Sequence, residues 1–491
     1  MSKFKRFFYV SNTIFAFVFL NIVGDKREAQ SLLFDRLSKL GGLYIKFLQI
    51  LAARQDNQDL HITRLKDTLS VFDQAPFEYI DVQSVLHAEL GNHANSVKLD
   101  NLNPIAAGSF GQVYGAHINN LPVVVKVLRP SVVKYLRFDL ELLSFIARII
   151  SIIQPDGMLD IVSVCKEFRA VTLQEIDYIQ EVKNANALQL SLADHPVIHI
   201  PHTFEQYSSS NIIVQERVEG IPLTEVLSEV ITDKISYVQY ALGTDLNYVM
   251  EELAVELLSG SLSDSGTHGD PHPGNIYILP NNQIALIDFG IESVVDKRKP
   301  ELMQLLTQYA ALYRGEFNPA LFARAMISYF VPNLTHALQS LSGYLGQDDL
   351  LEKTLSELGI SASKTLEDQS GDVAVSALLS QYRMLNLFTQ VINKDNRFGF
   401  KAEIEAPAFL RSTQIFLNLV HRLGCDKQLL RRSFERVIEM HSHLEVATGP
   451  AYDNESIDRS LHLVAEWFEG LHYSDPSLYN RITNAWDVAS I

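Results

Sequence analysis

At 491 residues and 47% hydrophobic content, the chain is long enough for more than one ordinary domain and apolar enough for a large packed core. A formal net charge of -17 argues against a generic nucleic-acid binder, which needs a basic excess to neutralise phosphates. Two cysteines, Cys165 and Cys425, far apart and without metal spacing, exclude a disulfide framework and fit a reducing compartment, where both read as small buried hydrophobes.

Lys3, Lys5 and Arg6 precede a run from Phe7 to Val23 that is apolar apart from Ser11, Asn12, Thr13 and Asn21. A basic start and an apolar middle are shared with signal peptides, but Gly24-Asp25-Lys26-Arg27 follows in place of a small-residue cleavage site. Three placements are open: a helix on a membrane surface held by basic anchors, a helix packed on the protein, or a span. Length disfavours the span, which needs about 20 apolar residues, and no other stretch reads as one. Residues 30–70 read as helices broken at Gly41-Gly42. In the second of them Tyr44, Phe47, Leu48 and Leu51 fall at i, i+3, i+4 and i+7 and form an apolar stripe. Lys46, Gln49 and Ala53 lie on another face, which by spacing alone is a solvated one.

Further on, Ile105 to Tyr114 predicts a strand–turn–strand in which Ala106, Ala107, Gly108, Ser109 and Gly111 form the turn. Glycines in such a turn let backbone N–H groups approach a phosphate, although alone they also suit an ordinary β-turn. The apolar strand Val123-Val124-Val125-Lys126-Val127 follows, and a Lys within it is costly unless its charge is paired. Residues 132–172 read as helices. The segment Gln174 to Asn184 carries Glu175, Asp177 and Glu181, in isolation a solvated acidic helix face. Ile212 to Glu216 is a strand running into a linker at Gly220, and residues 233–262 are helical in pattern.

The chemistry concentrates at His268-Gly269-Asp270-Pro271-His272-Pro273-Gly274-Asn275 and at Asp288-Phe289-Gly290. Between them, Ile276 to Leu279 and Ile284 to Ile287 flank Pro280-Asn281-Asn282 and read as a β-hairpin. A hairpin holds its two flanks together, so Asn275 is expected beside Asp288, with Asp270 just upstream. Oxygen ligands in that arrangement suit Mg²⁺. It is also the pattern of kinase-fold phosphoryl transfer: a catalytic-loop Asp, an Asn on one metal and a second Asp on the other. The offsets of five residues from Asp270 to Asn275 and thirteen from Asn275 to Asp288 match kinase-like chains. No Ala-Pro-Glu follows Gly290, so no peptide-binding platform is expected. The remainder, 301–491, is helical by pattern, with loops near Ser361–Gly371 and Thr448–Glu455.

Gly41 to Gln49, continuing Ala53-Arg54-Gln55-Asp56, resembles the KxGQ segment of the UbiB or aarF-domain family of atypical kinases, as does Leu69-Ser70-Val71-Phe72-Asp73-Gln74-Ala75-Pro76. The chain departs from the family in placing Leu48 at its Gly, and its loop is intermediate, with the family's Ala106-Ala107 beside a kinase-type Gly108. The resemblance implies an α+β, two-lobed, protein-kinase-like fold with an N-terminal helical (KxGQ) extension and a helical C-terminal extension. On that pattern the chain divides as 1–29, an apolar helix with membrane contact; 30–100, the KxGQ extension; 101–220, an N-lobe with helical insert; 221–350, a C-lobe; and 351–491, a C-terminal extension. It further implies ATP and Mg²⁺ as cofactors, Glu181 paired with Lys126, and Glu175 and Asp177 near the nucleotide opposite Lys46 and Gln49. Glu216 would stand at the adenine hinge, Asn275 and Asp288 on metal, and Asp270 as base or substrate positioner. By the same likeness the protein supports ubiquinone or other isoprenoid-lipid metabolism, takes a lipid or quinone-precursor ligand, and sits in the cytoplasm or at the inner membrane face. Two rivals remain: a small-molecule phosphotransferase like the aminoglycoside and choline kinases, which lack the Lys46/Gln49 helix, and a non-catalytic nucleotide-sensing scaffold.

Overall fold

The computed structural model describes residues 3–23, 78–316 apart from 109, 154–160, 229, 264–265 and 294–298, and 406–444 apart from 427, with isolated positions elsewhere. In chain order the first elements are α1 (Lys3–Val23), α2 (Val82–Leu90), β1 (Val97–Leu99), β2 (Ala106–Ala107), β3 (Gly111–Ile118), β4 (Leu121–Leu128), α3 (Pro130–Ile153), α4 (Ile161–Glu175) and α5 (Tyr178–Ser191). Then come β5 (Ile198–His199), β6 (Ile212–Glu216), β7 (Ile221–Pro222), α6 (Lys234–Leu242), α7 (Leu246–Gly260) and β8 (Thr267–His268). The series closes with β9 (Ile276–Leu279), β10 (Gln283–Leu286), β11 (Glu292–Ser293), α8 (Lys299–Arg314), α9 (Ala406–Leu423) and α10 (Gln428–Met440). The chain forms two compact units, the first from Met1–Gln189, Pro201–Val218 and Asp288–Ile291, the second from Leu190–Ile200, Glu219–Ile287 and Glu292–Ile491.

The first unit is built on an antiparallel sheet in the order β1-β3-β4-β6, with β2 paired to β3. The β3–β4 hairpin closes through Asn119 and Asn120, both with left-handed φ (49° and 71°), the conformation a tight right-twisted hairpin turn requires and Asn tolerates. Alternation along β4 sends Val123, Val125 and Val127 into one core with Tyr114, Ile212 and Val214, under α2. Lys126 projects from the opposite face. There Ile213, Phe110, Tyr178 and Val182 join a second core with α3 and α4, whose Leu140, Leu143, Ile146 and Phe168 are buried. The inserted helices expected between 132 and 172 are thus α3 and α4, and α3 begins with Pro130, which suits a first helical turn.

That second core also receives Tyr44 and Phe47, and the Phe47 and Phe168 rings lie 5.2 Å apart. These are the first two members of the expected apolar stripe. Leu48, Leu51, Lys46 and Gln49 lie outside the described residues, as do Gly41-Gly42, the Leu69–Pro76 segment and both expected loops of the C-terminal region. α1 packs on α3 by Val10, Thr13 and Phe17, while Phe4, Phe8, Phe15 and Phe19 are exposed. Of the three placements considered from sequence, the packed one holds for one face of this helix, and the other face is exposed. Among the described residues no helix is long and apolar enough to cross a membrane. Both cysteines are free and buried, as expected of small hydrophobes.

The second unit holds the sheet β5-β10-β9-β7 and a β8–β11 pair beneath helices. The helix starts follow from sequence: the Asp233 side chain accepts from Ser236 N in α6, and Asp245 accepts from Asn247 N and Tyr248 N in α7. Gly243 ends α6 in the left-handed region that favours Gly. α10 lies against α7 and α8, its Arg432 on Glu251 at 2.7 Å and its Arg436 on Glu252 at 2.7 Å, with Phe434 stacked on Tyr309.

Candidate functional site

In the first unit the site is built around Lys126. Its Nζ donates to both Glu181 oxygens, at 2.8 and 3.0 Å, and to Asp288 Oδ2 at 3.1 Å, and it lies 5.1 Å from the Tyr178 ring centroid. Burial works against the ammonium, but the Asp288 and Glu181 carboxylates outweigh it and hold the Lys126 pKa well above its ordinary value. Burial likewise pushes Glu181 up to about 7, against the pull of Lys126. Asp288 takes φ +66°, a strained backbone for most residues that Asp adopts more readily than bulky ones.

The α5 helix supplies this centre through one face. Tyr178, Glu181, Val182, Ala185 and Leu188 are its buried residues, and Asn184 Nδ2 donates to Phe289 O at 3.0 Å. The expected acidic helix is in fact two: α4 ends at Glu175 and α5 starts at Tyr178. Exposed Asp177 explains the break, because its Oδ1 accepts from Gln180 N and its carbonyl from Glu181 N, which starts α5 and sets the phase that brings Glu181 to Lys126. The Glu175 Cα lies 3.5 Å from where a Gly290 Cβ would stand, so Gly290 admits close approach of the chain there.

The loop from Ala106 to Gly111 adjoins this centre. Ala106 and Ala107 pair with Val113 and Gln112, Gly108 N donates to Gly111 O at 2.9 Å, and Arg129 Nη2 donates to Gly108 O at 2.9 Å. A Cβ at Gly111 would stand 2.6 Å from Tyr178 Oη and 3.1 Å from Val127 O, so Gly is dictated there by packing. At Gly108 a Cβ would meet only Gly111 O, at an ordinary 3.9 Å. Ser109 lies outside the described residues. Glu216 is engaged elsewhere in the unit: its N–H donates to His202 O at 2.8 Å and its carboxylate accepts from His202 N at 3.0 Å.

In the second unit the β9–β10 register pairs Ile276 with Leu286 and continues through Ile287 N donating to Asn275 O at 2.9 Å. Asn281 and Asn282, at φ 60° and 57°, make its turn, as the sequence suggests. Asn275 Nδ2 donates to Asp270 O at 3.1 Å, which leaves Oδ1 as the amide's outward acceptor. His268, 2% exposed, contacts Ile287 O through Nε2 at 3.0 Å and accepts from Asp270 N through Nδ1. It ties the loop carrying Asp270 to the end of the hairpin. Sequence reasoning gave no role to His268, Tyr178 or Asn184. His268 was within reach, since it opens the motif; the spacing of Tyr178, Glu181 and Asn184 on one helix face was the available signal for the other two.

Residues 70–315, half of the chain, match the family model of the ABC1 atypical kinase-like domain. A relative from Cronobacter sakazakii named "Probable protein kinase UbiB" is 29% identical over 272 residues, covering 53% of this chain and 47% of that one. A Klebsiella pneumoniae relative of the same name is 30% identical over 272 residues with the same coverage. The chain thus spans about half the length of the curated relatives it matches. A solved structure titled "The complex structure of Rv3197-erythromycin from Mycobacterium tuberculosis" aligns over 86% of this chain and 97% of that one at 18% identity and TM-score 0.48. With an α+β, kinase-like fold and the UbiB motifs in order, the chain belongs to the ABC1 (UbiB) family of atypical kinase-like proteins.

Proposed function

We propose that the protein is an atypical kinase or ATPase that binds Mg-ATP and supports ubiquinone or other isoprenoid-lipid metabolism. The observation that carries the nucleotide reading is Lys126, held between Glu181 and Asp288 on an otherwise apolar strand. A kinase-type lysine clamps α- and β-phosphates while a helix carboxylate fixes it, and Glu181 performs that fixing here. Asn275 in the second unit would supply a carboxamide oxygen and Asp288 in the first a carboxylate oxygen, donors of the hard-oxygen type that suits an ion arriving with phosphate oxygens and water. Bound there, Mg²⁺ would neutralise phosphate charge as phosphoryl transfer proceeds. The Asp270 carboxylate would accept or position the attacking hydroxyl or water, its loop fixed by His268 and Asn275. The Ala106–Gly111 turn would cover the phosphates, Glu175 and Asp177 would border the nucleotide with Lys46 and Gln49, and the adenine would lie near Glu216.

The lipid part of the reading is supported by α1, where Phe4, Phe8, Phe15 and Phe19 form an exposed stripe in a helix whose sequence opens with Lys3 and Lys5. That combination suits an anionic membrane surface. The decisive experiment is thermal shift with ADP and Mg²⁺ on the wild type and Asp288→Asn. Asn tolerates φ +66° as Asp does, and Glu181 still pairs Lys126, so the apo fold should persist while the Mg-ADP shift disappears. An undiminished shift in the variant would overturn the metal assignment. ATP turnover with and without quinone-headgroup mimics tests the acceptor class.

A further inference from the structure

In the first unit, α3 and α4 flank a half-open concavity of about 390 Å³, within the range of small-molecule sites. It arises because Ser144, Ala147 and Cys165 face one another there, and three small side chains cannot fill the gap. Phe145 and Val162 provide apolar wall, and Phe145 is 50% exposed. Arg148, Lys166 and Arg169 stand around it, and among the described lining residues Glu141 is the one acid. Among the described residues, none of those three cations is in an ion pair. A net positive charge among the described lining residues is unexpected in a chain of net charge -17, and it creates a local field for an anion.

We infer that the α3/α4 groove is a binding site for an anionic amphiphile of the lipid class, with its acidic head on Arg148, Lys166 and Arg169 and its first methylenes between Phe145 and Val162. A free inorganic anion would leave the apolar wall wet, and a neutral chain would leave three cations without a partner, so the lining selects a molecule carrying both features. The Cys165 thiol adds no competing charge, because burial raises its pKa above the usual thiol value despite the nearby Arg169 and Arg148. Its hydrogen bond to Ser144, at 3.7 Å, ties the floor of the groove together. None of the nucleotide-site residues lines this groove, and the inference does not depend on that reading.

Isothermal titration of the full chain with decyl phosphate, below its micellar concentration, tests the site, with inorganic phosphate and decanol as head-only and tail-only probes. Saturable binding of decyl phosphate is expected, at least tenfold tighter than either partial probe. Arg148→Glu with Lys166→Glu, both exposed positions, should weaken it at least tenfold. Ser144→Leu, which fills the groove, should abolish it, with the far-UV circular dichroism and cooperative melting of both variants retained as a control of folding. The inference is overturned if decyl phosphate does not bind, if inorganic phosphate binds as tightly, or if charge reversal leaves the affinity intact.

Discussion

Lys126→Met separates what the lysine does for folding from what it does for ligand. The substitution keeps the stem length and removes the charge. Glu181, whose side chain is 6% exposed, then loses the partner that holds both of its oxygens, while Asp288, 44% exposed, can turn to water. Breaking a buried ion pair from one side costs about 3–5 kcal/mol, because the abandoned carboxylate must either stay desolvated or take up a proton. Lys126 is itself 24% exposed, which places the expected loss near the lower end, ~3 kcal/mol. Adding Glu181→Gln removes the stranded charge and keeps an acceptor for the Phe289 N–H that Glu181 now uses. The double variant should therefore recover about 2 kcal/mol of the loss, leaving a residual near 1 kcal/mol for imperfect hydrogen bonding. Urea denaturation of the nucleotide-free protein measures both, and the double-mutant cycle yields the coupling. Nucleotide binding should stay lost in both variants. Additive destabilisation, with the double variant worse than Lys126→Met, would refute the assignment of the cost to a stranded Glu181.

Two further expectations follow from other parts of the molecule. Replacing Phe4, Phe8, Phe15 and Phe19 with Ser should abolish flotation with phosphatidylglycerol-containing vesicles without lowering the melting point, whereas Phe17→Ala, at a buried site, should cost about 3–5 kcal/mol; equal flotation of the Ser variant would remove α1 from the membrane reading. Burial pushes the Glu256 carboxyl from its ordinary 4.5 up to about 7, so its protonated form favours the folded state and that contribution is lost as pH rises from about 4.5 through about 7. Glu256→Gln should then raise stability at pH 8 by up to ~3 kcal/mol and change little at pH 4.5, and a difference independent of pH would contradict the burial argument.

Much of the site could be read because its signals are local. The hairpin between Asn275 and Asp288 declares itself through two apolar runs and an Asn-Asn turn, and the register bears this out. The Lys126–Glu181 pair is 55 residues apart in sequence. No spacing could have joined them, and it was the family resemblance that did. What stayed hidden depends on long-range approach. Gly111 reads from sequence as a phosphate-facing glycine, yet its missing Cβ makes room for Tyr178 Oη and Val127 O. The pairing of Asn184 with Phe289 O is equally invisible until α5 is set against the chain at Asp288–Ile291.

α1 shows the same limit from the other direction. A run with apolar residues on every face has no single stripe to identify its buried side, so periodicity left surface and packed placements open. The deciding contact is polar: Arg6 pairs with Asp139 on α3, and Asp139 also accepts from Tyr44 Oη at 3.3 Å. Asp139 is only 4% exposed, and burial raises its pKa against the pull of Arg6. A carboxylate so placed is costly without its cation, so the pair fixes α1's rotation as well as its position. With Arg6 turned inward, Val10, Thr13 and Phe17 follow it on successive turns, and Phe4, Phe8, Phe15 and Phe19 are left outward. The exposed aromatic stripe is therefore a consequence of one buried charge pair that lies 133 residues apart in sequence.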